Sequence, residues 1–221
     1  METLGYNDLK LIKRSEFEEV YISAYSNVII KLFYYTEEDY YNTQKICALS
    51  IKFSNLISDY VPMIYYIYET NKYIALIMEN IENVNFNTYI NNKENVNYNI
   101  TNIIIIINSL LRAIFAMHKL GYVHNDLHGQ NILITKDYSI KLIDFSLCEN
   151  VNSVGDRFAL YIEDDYISIR YYVSHLIYPN LPLSNISDTI KITKSYTEQD
   201  VISYDTNPIK AKYLYDLLQL I

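Results

Sequence analysis

The chain has 221 residues, a formal net charge of −8 and a pI near 5.0, which argues against nucleic acid as its main partner, because phosphate binding needs clustered Lys and Arg. Half of the residues are apolar and a fifth are charged, so a sizeable core can be buried and wholesale disorder is excluded. Four Gly and four Pro, against about 15 and 11 at average usage, exclude collagen-like and linker sequences and leave little glycine for a phosphate-cradling loop.

The first third reads as β structure with one helix. Residues 9–12, 19–23 and 27–33 are short apolar or alternating runs rich in β-branched and aromatic side chains. Thr36-Glu37-Glu38-Asp39 has the form of a capping box with an acidic first turn. Tyr40, Tyr41, Gln44, Cys47, Ala48 and Ile51 then recur at helical spacing. Strands are predicted over 62–68 and 73–79, and 80–83 reads as a connector. Beyond it the pattern turns helical. A polar loop spans 91–97, and a long helix runs over 100–120 with Gly121 placed to end it. Residues 132–135 and 140–143 read as a β-hairpin, and 164–177 as an apolar helix stopped by Pro179 and Pro182. The tail regains a helical pattern only over 211–220. The expected organisation is a β-rich domain part over 1–80 and a helical part over 81–221.

Cys47 and Cys148 lie far apart and form no metal-type spacing, as expected in a reducing, intracellular and cytoplasmic setting. Residues 1–20 lack the apolar run of a signal peptide. The strongest apolar run, 103–107, is far short of the roughly 20 residues of a membrane span, so no membrane partner is expected. Oligomeric state is open.

The chemistry concentrates in His124-x-Asp126-Leu127-x-x-x-Asn131, a loop before the hairpin, and in Asp144-Phe145-Ser146 directly after its second strand. Taken singly, Asp126 could cap a loop and Asn131 could serve a turn. Together, the acid and amide positions, their spacing and the strand context resemble the protein kinase superfamily, whose catalytic loop is H-R-D-L-x-x-x-N and whose magnesium loop is D-F-G. The resemblance covers about residues 9–177 and is nearest to compact, atypical members of the viral, haspin-like or casein-kinase-like kind.

The resemblance implies an α+β, two-lobed kinase-like fold, with a small β-rich N-lobe carrying one main helix and a reduced helical C-lobe. It implies ATP and Mg²⁺ as cofactors and a protein Ser/Thr hydroxyl as acceptor. Asp126 would act as base, and Asn131 and Asp144 would hold the metal through hard oxygen ligands. Lys31, in Val28-Ile29-Ile30-Lys31, would pair the α- and β-phosphates. Val20, Ile29 and Leu133 would line the adenine, and backbone groups of Glu79 and Ile81 would face its edge. Asp165, in Asp164-Asp165-x-x-Ser168, would brace the catalytic loop.

The departures are equally specific. Lys13, Ser15 and Glu18 stand at the glycine positions of the phosphate loop, and Glu18 would add negative charge beside a triphosphate. Ile29 replaces the small residue against adenine, Ser146 the magnesium-loop glycine and Asn125 the loop arginine. The partner of Lys31 is expected to be Gln44 or Glu38. Only 18 residues separate Ser146 from Asp165, without an A-P-E motif. His124 reads as a core histidine bonded to backbone, and His118 as the end of the long helix. Three readings stay open: an active Ser/Thr kinase, a pseudokinase scaffold, or a small-molecule kinase suggested by Asp126-Leu127-His128.

Overall fold

The computed structural model describes residues 5–91 and 100–177. The prolines at 179 and 182 and the helical pattern over 211–220 lie outside the described residues, as does most of the expected loop over 91–97. The chain divides into two compact units, Met1–Glu82 with Asp144–Ser146, and Asn83–Ile143 with Leu147–Ile221.

The first unit is an antiparallel sheet of β1 (Leu9–Arg14), β2 (Glu18–Ser23), β3 (Val28–Tyr34), β4 (Ile64–Glu69) and β5 (Tyr73–Glu79), ordered β1-β2-β3-β5-β4. Alternation in β3 makes two faces. Val28, Ile30 and Leu32 pack with Ala75 and Ile77 on one. On the other, Phe33 packs with Ile74, Leu76 and Cys47 of helix α1 (Tyr40–Leu56). The register places Val20 opposite Lys31, Glu18 opposite Phe33 and Leu76 opposite Lys31. These residues therefore share the α1 face.

The expected capping box forms a turn one step ahead of the helix. Thr36 Oγ1 donates to Asp39 Oδ2 at 2.8 Å and accepts from Asp39 N at 3.3 Å. Asp39 is then the N-cap without a side-chain bond to the helix, and no acidic residue lies in the first turn. Thr36 and Asp39 satisfy each other, so neither reaches the helical N–H groups.

The second unit starts with β6 (Asn83–Asn85), which occupies the end of the expected connector because it pairs with β8 (Ile132–Thr135); β8 in turn pairs with β9 (Ile140–Leu142). Helix α2 (Phe86–Asn91) follows β6, too short to give a readable period. Helix α3 (Ile100–Lys119) buries Ile103, Ile106, Ile107, Leu110, Ala113, Ile114 and Met117, the stripe of a core helix. It is long and apolar enough to cross a membrane by composition, yet that stripe lies inside the protein. Gly121, at φ +78°, ends it, with its N–H on His118 O at 2.9 Å.

After β7 (Tyr122–Val123) and the loop to β8, the chain leaves the first-unit segment and forms β10 (Glu149–Asn150), which pairs with β7. Asn150 and Ser153 build a capping box for the short α4 (Val151–Val154). A 3-10 turn at Gly155–Arg157 feeds α5 (Phe158–Ile177). Helix α5 thus starts six residues before the predicted 164, since Phe158 to Glu163 carry no stop signal. Asp165, Ile169, Tyr172, Val173 and Leu176 share its buried face.

Candidate functional site

In the second unit the loop from His124 to Asn131 is held at several points. Asp165, 1% exposed, is the main brace. Its Oδ2 accepts from His124 N at 2.9 Å and from His118 Nε2 at 2.8 Å, and its Oδ1 accepts from Asn125 N at 3.0 Å. A buried carboxylate needs such donors to offset its desolvation. Since α5 begins at Phe158, Asp165 is an interior helical residue rather than an N-terminal helix charge. His118 therefore does more than end α3. Asn125 takes φ +60°, a left-handed conformation that asparagine tolerates better than most residues, and so turns the chain into Asp126.

Downstream, Gly129 N donates to the Tyr172 hydroxyl at 2.6 Å, and Gly129 O accepts from Asn87 N at 3.3 Å. Glycine is needed here for close approach rather than for a left-handed turn: a Cβ would lie 2.0 Å from Asn87 Oδ1. The loop also clamps the strand end after β9. His124 Nε2 lies 3.2 Å from Ile143 O, and Ile143 N donates to Asn131 O at 3.0 Å.

These anchors fix the geometry of Asp126 and Asn131. Asn131 Nδ2 donates to both Asp126 O and Asp126 Oδ2, each at 3.0 Å. That commits the Asn131 amide nitrogen and leaves its Oδ1, a hard donor, for a cation. Asp126 is partly exposed and borders a cavity of about 210 Å³ that His128, Asp164 and Ser168 also line. His128 Nδ1 accepts from Gln130 N at 3.3 Å, and its Nε2 lies 3.1 Å from Asn131 Nδ2 and 3.6 Å from Asp126 Oδ2.

In the first unit, Lys31 is the centre of a charge cluster. Its Nζ lies 2.7 Å from Glu18 Oε2, 3.4 Å from Asp144 Oδ2 and 4.7 Å from the centre of the Phe33 ring. Lys13 Nζ meets Glu18 Oε1 at 3.0 Å. Burial pushes the Asp144 carboxyl up, but Lys31, the Ser146 hydrogen bonds and Lys13 together outweigh it, and the group ends below its ordinary value. Asp144 also holds φ +64°, so a second non-glycine residue of the motif set carries backbone strain.

The expected partners of Lys31 are corrected by this cluster. Gln44 is exposed and its amide donates to the Tyr40 hydroxyl. Glu38 is exposed ahead of α1. Glu18, expected only as an unwelcome charge, is the residue that pairs with Lys31. Cys47 is the α1 side chain in the cluster beneath this face, and burial pushes its thiol up to about 12, so it is neutral.

Val20 and Ile29 lie on the same sheet face as Lys31 and are partly buried. Glu79 N donates to Met63 O at 2.8 Å, which commits that donor to strand pairing. Ile81 is partly buried at the end of the first unit, and Leu133 projects from β8 between the buried Ile132 and Ile134. Asn87 and Tyr172, which hold Gly129, carry no motif and could not be found from the sequence.

The sequence matches the family described as "Protein kinase domain" over residues 20–178. It is 34% identical over 94 residues to the serine/threonine-protein kinase ppk35 of Schizosaccharomyces pombe, covering 42% of this chain and 15% of that protein. It is 32% identical over 94 residues to the maternal embryonic leucine zipper kinase of Danio rerio, covering 42% of this chain and 14% of the relative. A longer match, 24% identical over 190 residues, joins 75% of the chain to 9% of the Citron Rho-interacting kinase of Mus musculus. The chain thus spans a small part of the length of each of these relatives.

Proposed function

The chain belongs to the protein kinase superfamily, and from that premise we propose that it transfers the γ-phosphate of ATP to a serine or threonine hydroxyl of a protein. The observation that carries this reading is the fixed Asp126–Asn131 pair. Asn131 holds one carboxylate oxygen of Asp126, while Oδ1 is left to orient an acceptor hydroxyl and take its proton.

Asn131 Oδ1 and the Asp144 carboxylate are hard oxygen donors of the kind Mg²⁺ takes, and Lys31 is among the groups that favour the ionised form of Asp144. When bound, the metal would neutralise charge on the transferring phosphoryl group. Lys31 would hold the nucleotide phosphates, and Val20, Ile29 and Leu133 would supply apolar contact to the base, with Glu79 and Ile81 offering backbone groups to its edge. Cys47 and Cys148 are both buried and form no disulfide, which supports placing this activity in a reducing compartment.

A specific observation favours a second reading. Glu18 stands at a position where the family keeps glycine, and it engages the nucleotide lysine, as in a scaffold that has given up ATP. An assay with Mg·ATP and a generic protein substrate separates the two. The wild type is expected to label protein, and Asp126→Ala and Asp144→Asn to lower the rate by about 10²-fold or more. Labelling that persists in Asp126→Ala overturns the assignment. Absence of both transfer and any thermal shift with Mg·ATP selects the scaffold. Transfer only to a sugar or aminoglycoside selects a small-molecule kinase.

A further inference from the structure

We propose that Glu18 is the positioning residue for Lys31, so that the carboxylate orienting the nucleotide lysine comes from strand β2 rather than from helix α1. The inference rests on the phosphotransfer reading above and adds a residue to it. In protein kinases the lysine of this strand is oriented by a glutamate on the helix that follows. Here α1 spans Tyr40–Leu56, YYNTQKICALSIKFSNL, and contains no Asp or Glu. The helix therefore cannot provide a carboxylate at any rotation. Its contribution beneath Lys31 is the neutral, buried Cys47.

The sheet provides one instead. Val20 pairs directly with Lys31 and Glu18 with Phe33, so Glu18 and Lys31 are diagonal neighbours on one face. Long side chains span that separation. The contact is short, 2.7 Å, and each side chain is only 14% exposed. Charge-assisted bonds of this length are the stronger kind, and shielding from water reduces screening.

The objection to Glu18 is its charge near a triphosphate. Lys13 answers it by closing on the other carboxylate oxygen at 3.0 Å. Lys13, Lys31, Glu18 and Asp144 together carry two positive and two negative charges. Glu18 therefore presents a neutralised carboxylate to an incoming phosphate. Lys13 and Glu18 both stand at positions where the family keeps glycine, so the two departures compensate each other. Because β2 and β3 share a hydrogen-bonded ladder, the pair is assembled with the sheet and does not depend on the placement of α1.

A double-mutant cycle tests this in the full chain, with Mg·ATP binding by calorimetry and phosphoryl transfer as separate readouts. Glu18→Gln is nearly isosteric, and its thermal midpoint verifies folding. It should lower kcat/KM for ATP by roughly ten- to a hundredfold, the loss of one charge-assisted bond. Glu18→Asp should fall between it and wild type. In the Lys31→Met background Glu18→Gln should add nothing, because Glu18 acts through Lys31. Tighter ATP binding or faster transfer in Glu18→Gln, or losses that add in the double variant, overturn the proposal and leave the phosphotransfer reading standing. Wild type that neither binds Mg·ATP nor transfers phosphate overturns both.

Discussion

Asp165 ties the loop to helices α3 and α5 through three hydrogen bonds. Its two oxygens receive His124 N, Asn125 N and His118 Nε2. Removing it strands two backbone donors and a ring nitrogen in a buried place. Asp165→Ala should cost about 3–5 kcal/mol, the usual penalty for breaking a buried charged network. Asp165→Asn keeps one accepting oxygen and should cost less. His118→Ala removes one donor of the three and should cost about 1–2 kcal/mol. Urea unfolding of the three variants measures the order, and equal losses would show that the network does not act as described. The motif residues themselves were legible because spacing alone relates Asp126, Asn131 and Asp144. The partner of Lys31 was not. A cross-strand diagonal depends on register, and register is set by pairing that a linear pattern does not display. The helical period drew attention to Gln44, while the ladder selects Glu18.

Elements show the same division between local and tertiary causes. The strands β1 to β5, the long helix α3 and the β8–β9 hairpin follow from period and turn signals, and the structure has each within a few residues. Strand β6 exists because β8 offers an edge, and Asn83–Asn85 has no strand composition of its own. Helix α2 is placed by what it touches: Asn87 lies against Gly129, and Phe86 packs on Tyr172 with ring centres 5.0 Å apart. The closeness of α2 to the loop gives a testable pair. In Gly129→Ala the new methyl would sit 2.0 Å from Asn87 Oδ1 and 3.1 Å from Asn87 N. Overpacking of this kind costs about 1–3 kcal/mol. Because the shorter contact is to a side chain, Asn87→Ala should recover part of the loss in the double variant, while the backbone contact preserves the rest. Thermal midpoints of the single and double variants measure the recovery. No recovery would place the strain in the loop itself.

At the scale of the whole molecule the sequence order and the folded units do not coincide. Asp144–Ser146 follows the hairpin of the second unit in the chain but packs with the first. Phe145 is buried there, its ring 4.8 Å from that of Phe53, and Asp144 meets Lys31. The first unit is therefore incomplete without three residues from far along the chain. A fragment ending at residue 82 exposes Phe53 and leaves Lys31 without one of its carboxylates. It should unfold at much lower urea than the intact chain, and Phe145→Ala in the full chain should cost about 3–5 kcal/mol. Acid adds a sign that can be checked on Asp144. Its folded value lies below the ordinary 3.8, so the ionised form contributes stability that is fully present above about pH 4–5 and is lost as pH falls through the lowered value. Asp144→Asn should therefore be less stable than wild type near pH 6, and the two unfolding curves should converge as pH falls through the lowered value. A gap that persists unchanged into acid would mean that Asp144 stabilises the first unit by shape rather than by its charge beside Lys31.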